Sequence, residues 1–340
     1  MRVVTLLLVL WSVALAAHAQ QPTIDVHVHA SLPSDGGPVP TAICVPFIPN
    51  LPAPRSFDAW PQQFAQRMTN PSCDDPIWSP ETPEALMNEV IEELQRNHAV
   101  GILSGPPERV NAWKVAAPDR FIKSLQLNLV RDPYTPEEAR AYFADGGFLV
   151  LGEISNQYVG IGPDDERMKP WWALAEEMNI PVQIHMGGGP PGTISFSPAY
   201  RVGLGNPLLL EPVLARHPDL RISVQHMAEG FSEEMIQMLW AYPQLHVDIG
   251  GIMWGKDGDY FHAQLKTFVD AGFANRIMFG ADAMVWPGLI TRSIEIIQAA
   301  DYLSEQQKQD ILFDNAVRFF GFDGAHMRRR ALGMESSTAE

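Results

Sequence analysis

The chain has 340 residues, of which 46% are hydrophobic and 19% charged, with a net charge of −16 and an isoelectric point near 5.0. That length suits one large domain or two ordinary ones. The acidity argues against non-specific nucleic-acid binding and against docking on an anionic membrane surface.

Residues 1–20 read as a secretory leader. Arg2 and the α-amino group form a thin positive region, Val3 to Ala16 is a nearly unbroken apolar run, and Ala17-His18-Ala19 has the small-x-small cleavage pattern. The expected organisation is a signal peptide at 1–19 cleaved after Ala19, a barrel domain at 20–326 and a flexible tail at 327–340. The apolar run is short for a membrane span. A secreted or periplasmic protein without membrane contact is therefore expected, an uncleaved anchor being the alternative.

Ile24 to His29 reads as a short apolar strand. Its two histidines, His27 and His29, are two residues apart and so share a face. They could hold a metal ion between them, or simply be satisfied in a half-buried strand. The segment 31–83 is rich in proline, glycine and asparagine, with Phe47, Phe57, Trp60, Phe64 and Trp78 interleaved. A stretch this long predicts a packed, lid-like insertion over the end of the first strand. Cys44 and Cys73, the two cysteines of the chain, both lie in it. In an exported protein a disulfide between them is expected, free thiols being the alternative.

From Thr82 the chain alternates. Further strands are predicted at Ala99–Ser104, Phe121–Leu129, Phe148–Ile154, Pro181–Met186, Arg221–Met227, Leu245–Ile249 and Arg276–Asp282, with helices between them. Two more helices are predicted after the last strand, at Leu289–Ala300 and Glu305–Phe320, the second opened by a capping box from Ser304 to Gln307. Eight short apolar strands alternating with helices indicate a parallel α/β architecture. The Gly-rich phosphate turn of an open doubly wound sheet is missing after the first strand. The span from Ile24 to Asp282 has the roughly 250-residue length of a (β/α)8 TIM barrel, here with a long insertion between the first strand and the first helix.

Active sites of such barrels sit at the C-terminal strand ends. The first strand ends in His27 and His29, the fourth in Glu153, the fifth in His185, the sixth in His226 and the eighth in Asp282. Any one of these could be a satisfied buried group, but a barrel brings all these ends to one place.

The order Asp-x-His-x-His on strand one, His on five, His on six and Asp on eight resembles the amidohydrolase superfamily. The strings Ile180 to His185, His217 to Leu220 before Val224-Gln225-His226, Phe279 to Asp282, and Asn315 to Gly321 resemble its amidohydrolase-related branch, which includes aminocarboxymuconate-semialdehyde decarboxylase and several lactone hydrolases. The resemblance covers nearly the whole mature chain. It implies that His27, His29, His185 and Asp282 bind a divalent metal, zinc first and manganese as the alternative, which would acidify a bound water. It gives Asp282 the holding or accepting of that water's proton, and His226 general acid/base work or polarisation of the substrate.

Glu153 is open among three roles. It could bridge two metals, as in TatD-type hydrolases, with His185 and His226 on the second ion. It could contact the ligands or substrate of a single metal, or be purely structural. Arg201 is a candidate for an anionic substrate group, or plain surface charge. Tyr158, with Asn156 and Gln157, is expected at the pocket rim. Trp286 and Trp254 are expected as an apolar wall or a barrel cap. Gly187 to Gly192 reads as a flexible turn, and His98, His246, His262 and His326 as structural.

The leading expectation is an exported metal-dependent hydrolase acting on an ester, lactone or amide bond of a small molecule. The alternative is a non-oxidative decarboxylase on the same site. A non-catalytic metal-binding protein is disfavoured, because His226 and Glu153 exceed what a closed four-ligand site needs. The family resemblance makes a homodimer unsurprising.

Overall fold

The computed structural model describes residues 21–48, 56–132, 134–144 and 147–334. The predicted leader lies outside the described residues. Among the described residues there are ten strands: β1 Thr23–His29, β2 Ala42–Ile43, β3 Ile77–Trp78, β4 Ala99–Gly105, β5 Phe121–Leu127, β6 Val150–Ile154, β7 Val182–Ile184, β8 Ile222–Val224, β9 Leu245–Asp248 and β10 Ile277–Met278. β1 and β4 to β10 pair in sequence order as one eight-stranded parallel sheet. β2 and β3 form a separate antiparallel ribbon.

The sheet closes on itself at a seam between its first and last strands. The Val26 N–H donates to the Phe279 carbonyl at 2.9 Å, and the Asp282 N–H donates to the His27 carbonyl at 3.0 Å. Asp25 spans the seam with its side chain, Oδ1 accepting from the N–H groups of His27 (3.0 Å) and Ala281 (2.9 Å). The (β/α)8 barrel is therefore complete. The final strand is regular only at Ile277–Met278, because beyond it the chain pairs partly with a carboxylate instead of with backbone. With helices outside and side chains within, both faces of most strands are dry, and nearly all of β1 and all of β4 are buried.

The barrel floor is filled by Ile24, Val26, Val100, Ile102 and Met278, packed against Phe313 and Phe319 of the last helical segment. The helix predicted at Glu305–Phe320 is interrupted. Between Glu305–Gln309 and Asn315–Phe320, residues Asp310–Asp314 form a wider π-helical turn. The Ile311 carbonyl accepts from the Phe279 N–H at 2.8 Å. The Asn315 amide donates to the carbonyls of Ala274 and Ile277. The tail expected to fray from Met327 instead continues a helix, Gly324–Ala331, with Met327 and Ala331 buried and Arg330 donating to the carbonyls of Pro118, Asp119 and Phe121. Its apolar pair at i and i+4, which composition alone conceals among arginines, is what docks it.

The described residues of the insertion are built around the β2–β3 ribbon, a helix at Trp60–Thr69 and the Cys44–Cys73 disulfide. At one end the Phe47 N–H donates to the Trp254 carbonyl, and the Trp286 indole donates to the Thr41 carbonyl at 3.2 Å. At the other, the Trp60 indole donates to the carbonyl of Pro191, and the Phe64 ring meets Phe196 at 5.6 Å. The insertion thus runs from the elements flanking β10 to the loop after β7. Among the described residues no helix is long and apolar enough to cross a membrane.

Candidate active site and metal centre

The C-terminal strand ends do converge. His27 Nε2 lies 3.6 Å from Glu153 Oε2 and 3.6 Å from Asp282 Oδ1. His29 Nε2 lies 3.5 Å and 3.2 Å from the same two oxygens. Bonds of about 2.1 Å in a tetrahedral arrangement put neighbouring donors about 3.4 Å apart. Each of the two imidazole nitrogens thus has both carboxylate oxygens near the separation that ligands of one divalent ion show, His27, His29 and Glu153 offer donor atoms within 4.8 Å of one another, and the donor set suits zinc or manganese.

His185 is close by but differently engaged. Its Nδ1 faces Gln157 Oε1 at 2.9 Å and its Nε2 faces the Tyr158 hydroxyl at 2.9 Å. Nδ1 carries the proton toward the amide oxygen, and Nε2 accepts from the phenol. Glu153, His185 and His226 form a second group of donors within 4.8 Å of one another. Glu153 thus belongs to both halves of the cluster.

His226 follows β8 in a left-handed turn. His226, Met227 and Ala228 have φ of 56°, 50° and 49°, a conformation costing about 1–3 kcal/mol per non-glycine residue. The His226 N–H donates to Asp248 Oδ1 at 3.1 Å, and its ring Nδ1 donates to the Gly250 carbonyl at 2.8 Å. These bonds turn the ring inward, 4.0 Å from Asp282 Oδ2 and with its centroid 4.7 Å from that of His185. Gly250 and Gly251 let the β9 loop close over the donors. A Cβ on Gly250 would sit 2.8 Å from His27 Nδ1, and one on Gly251 2.9 Å from Asp282 Oδ2.

The electrostatics describe a site that seeks positive charge. Burial would push the carboxyls of Glu153 and Asp282 up, yet the surrounding histidines hold both below the usual carboxylate range. Burial would lower His27, but Asp282 and Asp248 raise it well above an ordinary imidazole. Burial and the neighbouring His226 outweigh the opposing pull of Glu153 and Asp282 on His185, which falls to about 3 and stays neutral. Burial and the nearby Glu153 and Asp282 carboxylates raise the Tyr158 phenol, so it remains a donor.

The supports of Glu153 come from the neighbouring strands. Its N–H donates to Ser104 Oγ, and the hydroxyls of Ser104 and Ser124 donate to the Gly152 carbonyl. Gly152 has no room for a side chain, since a Cβ would lie 2.6 Å from the Gln183 carbonyl.

Not every sequence candidate joins the cluster. The Arg201 guanidinium is exposed and donates to the carbonyls of Pro198 and Tyr200 in its own loop. Trp286 and Trp254 are buried, their centroids 6.4 Å apart, and both anchor the insertion. Asp248, fully buried and 3.1 Å from His27 Nδ1, escaped the sequence reading. It sits inside the string Leu245-His246-Val247-Asp248-Ile249, where an aspartate between β-branched residues was the available signal.

Comparison with known proteins bears on the family and the fold. The family model described as Amidohydrolase matches residues 24–322. A search of the curated proteins finds no match. Similar solved structures include a 5-carboxyvanillate decarboxylase from Sphingomonas paucimobilis, at 13% identity and TM-score 0.57, covering 89% of this chain and 100% of that one. A 2,6-dihydroxybenzoate decarboxylase from Rhizobium is 17% identical with TM-score 0.52, covering 88% and 99%. A probable 2-pyrone-4,6-dicarboxylic acid hydrolase from Acinetobacter baumannii is 12% identical with TM-score 0.53, covering 88% and 99%. At these identities the likeness is one of fold.

Proposed function

Since the chain belongs to the amidohydrolase family, whose members are metal-dependent enzymes, we propose that it is a hydrolase that holds one divalent ion and opens an ester, lactone or amide bond of a small molecule. The observation that carries this reading is that the Nε2 atoms of His27 and His29 each lie 3.2–3.6 Å from carboxylate oxygens of both Glu153 and Asp282, with the second oxygen of Asp282 on the side of His226. Zinc is the proposed ion, with manganese the alternative. His27, His29, Glu153 and Asp282 would hold it, with His185 at hand once its nitrogen leaves the Tyr158 hydroxyl. The ion supplies Lewis acidity toward a carbonyl oxygen and toward water.

The chain's own residues supply the rest. Asp282 stands between the donor cluster and His226, so its outer oxygen can hold the proton of an attacking water. His226 keeps its Nδ1 proton on the Gly250 carbonyl. The nitrogen 4.0 Å from Asp282 is that same Nδ1, so Nε2, which carries no proton, would exchange protons with the substrate side directly and not through Asp282. The Tyr158 phenol, kept protonated, is placed to donate to a substrate oxygen. Metal analysis and assays on lactones and esters test the proposal. One equivalent of metal and turnover that is lost on chelation are expected, and a metal-loaded protein inert to every such bond would overturn it.

The decarboxylase reading stands second, favoured by the fold likeness to two decarboxylases of hydroxylated aromatic acids. There His226 or Tyr158 would protonate the ring carbon. Release of carbon dioxide from such acids distinguishes the two.

Export is part of the proposal. The apolar leader and the Cys44–Cys73 bond both suit an oxidising compartment. A mature protein beginning after Ala19 is expected when the N-terminus of the exported product is sequenced.

A further inference from the structure

We infer that Asp248 is a positioning residue that sets the orientation of both working histidines from one buried carboxylate. The inference rests on reading the His27/His29 cluster as a metal centre. Oδ2 of Asp248 faces His27 Nδ1 at 3.1 Å. Oδ1 accepts from the N–H groups of His226 (3.1 Å) and Gly250 (3.0 Å). The Gly250 carbonyl in turn accepts from His226 Nδ1 at 2.8 Å. One arm of the aspartate therefore holds the His27 ring directly. The other holds the β9 loop that aims the His226 ring.

The consequence for His27 is chemical. A carboxylate can only accept, so the proton of a neutral His27 sits on Nδ1, and the lone pair on Nε2 points at Glu153 and Asp282. A competing partner is nearby, the Gln225 amide. Its Nε2 lies 3.2 Å and 3.1 Å from the two ring nitrogens, and a group equidistant from both lies along neither lone pair. Asp248 alone has the geometry to choose the tautomer. It is fully buried, between the apolar residues Val247 and Ile249.

Asp248→Asn keeps the size and can keep both backbone bonds through Oδ1. It places an amide N–H against His27 Nδ1, which then must accept, moving the ring proton to Nε2. Cobalt(II) titration followed by its visible spectrum reads this without any substrate. Wild type is expected to bind one equivalent with a low-coordinate spectrum. Asp248→Asn is expected to lose about 10–100-fold in affinity and to change that spectrum, while its far-UV circular dichroism stays native. Equal affinity and an identical spectrum in a folded Asp248→Asn would overturn the role of Asp248 and leave the metal centre standing. A wild type that binds no cobalt would overturn the metal centre and this role together. If Asp248→Asn does not fold, 15N-histidine NMR of wild type decides. A His27 resonance, identified by its loss in His27→Gln, is expected in the Nδ1–H form, and the Nε2–H form would overturn the inference.

Discussion

The indole N–H of Trp60 donates to the carbonyl oxygen of Pro191 at 2.9 Å, across 131 residues of sequence. This contact fastens the insertion to the loop that follows His185. The close approach exists only because residue 192 is glycine. A Cβ there would fall 1.8 Å from Trp60 Nε1, and its φ of 74° disfavours any other side chain.

Gly192→Ala should therefore free the insertion while leaving the barrel intact. Limited proteolysis should cut within 31–83 at least tenfold faster than in wild type, with little change in far-UV circular dichroism. Trp60→Phe, which removes one hydrogen bond of about 1 kcal/mol but keeps the ring, should show a smaller effect in the same direction.

The disulfide should matter to the same region. Cys44 and Cys73 are 29 positions apart, and closing a loop of that size stabilises by about 3.5 kcal/mol in the chain-entropy model. The Cys44→Ser, Cys73→Ser double variant should unfold at a lower urea midpoint, and reductant should bring wild type down to meet it. A midpoint that reductant leaves unchanged would show that the insertion is held by its aromatic contacts alone.

His226→Ala separates chemistry from metal binding. The ring lies beside the donor cluster, but its backbone, not its side chain, meets Asp248. The variant should retain the metal and lose about 10²–10⁴-fold in kcat, measured on whichever substrate wild type turns over. Full activity with the metal retained would remove His226 from the mechanism.

His246 gives a pH dependence at the opposite end of the barrel. Burial, with Arg276 and Arg318 nearby, lowers it to about 3, and its Nδ1 is buried without a partner. The unfolded chain takes up the proton near 6.5, whereas the folded one does not until about 3. Stability is therefore complete above 6.5 and falls as pH drops between those values, by up to about 1.4 kcal/mol per unit. Urea midpoints from pH 7 to 4 should decline more steeply in wild type than in His246→Phe. Parallel lines would contradict the assignment.

Much of this arrangement was readable from spacing. Apolar runs ending in His27, His29, Glu153, His185, His226 and Asp282 recur at intervals a β/α unit fills, and a barrel has only one place to gather strand ends. The pairing of Cys44 with Cys73 followed from there being no other cysteine. What escaped notice depends on contacts with no local pattern. Asp248 is a single carboxylate inside an apolar run, and its importance appears only when β1 and β9 are brought together. Nothing near Glu153 shows how Tyr158 and Gln157 would occupy both nitrogens of His185. Trp254 and Trp286 read equally well as wall or cap, and only the path of the insertion over them decided for anchoring. The wider turn at Asp310–Asp314 has no residue-level signature, because it is fixed by the Phe279 N–H reaching Ile311.

The seam of the barrel carries a last consequence. Its backbone bonds run between Val26 and Phe279 and between His27 and Asp282, and His27 and Asp282 are themselves members of the donor cluster. Completing the donor cluster and closing the barrel are thus one event. A chain whose eighth strand has not docked keeps at most the His27, His29 and Glu153 donors and lacks the Asp282 carboxylate. Competence should then be all-or-none across a population, with idle molecules being unclosed ones and not closed ones of reduced quality.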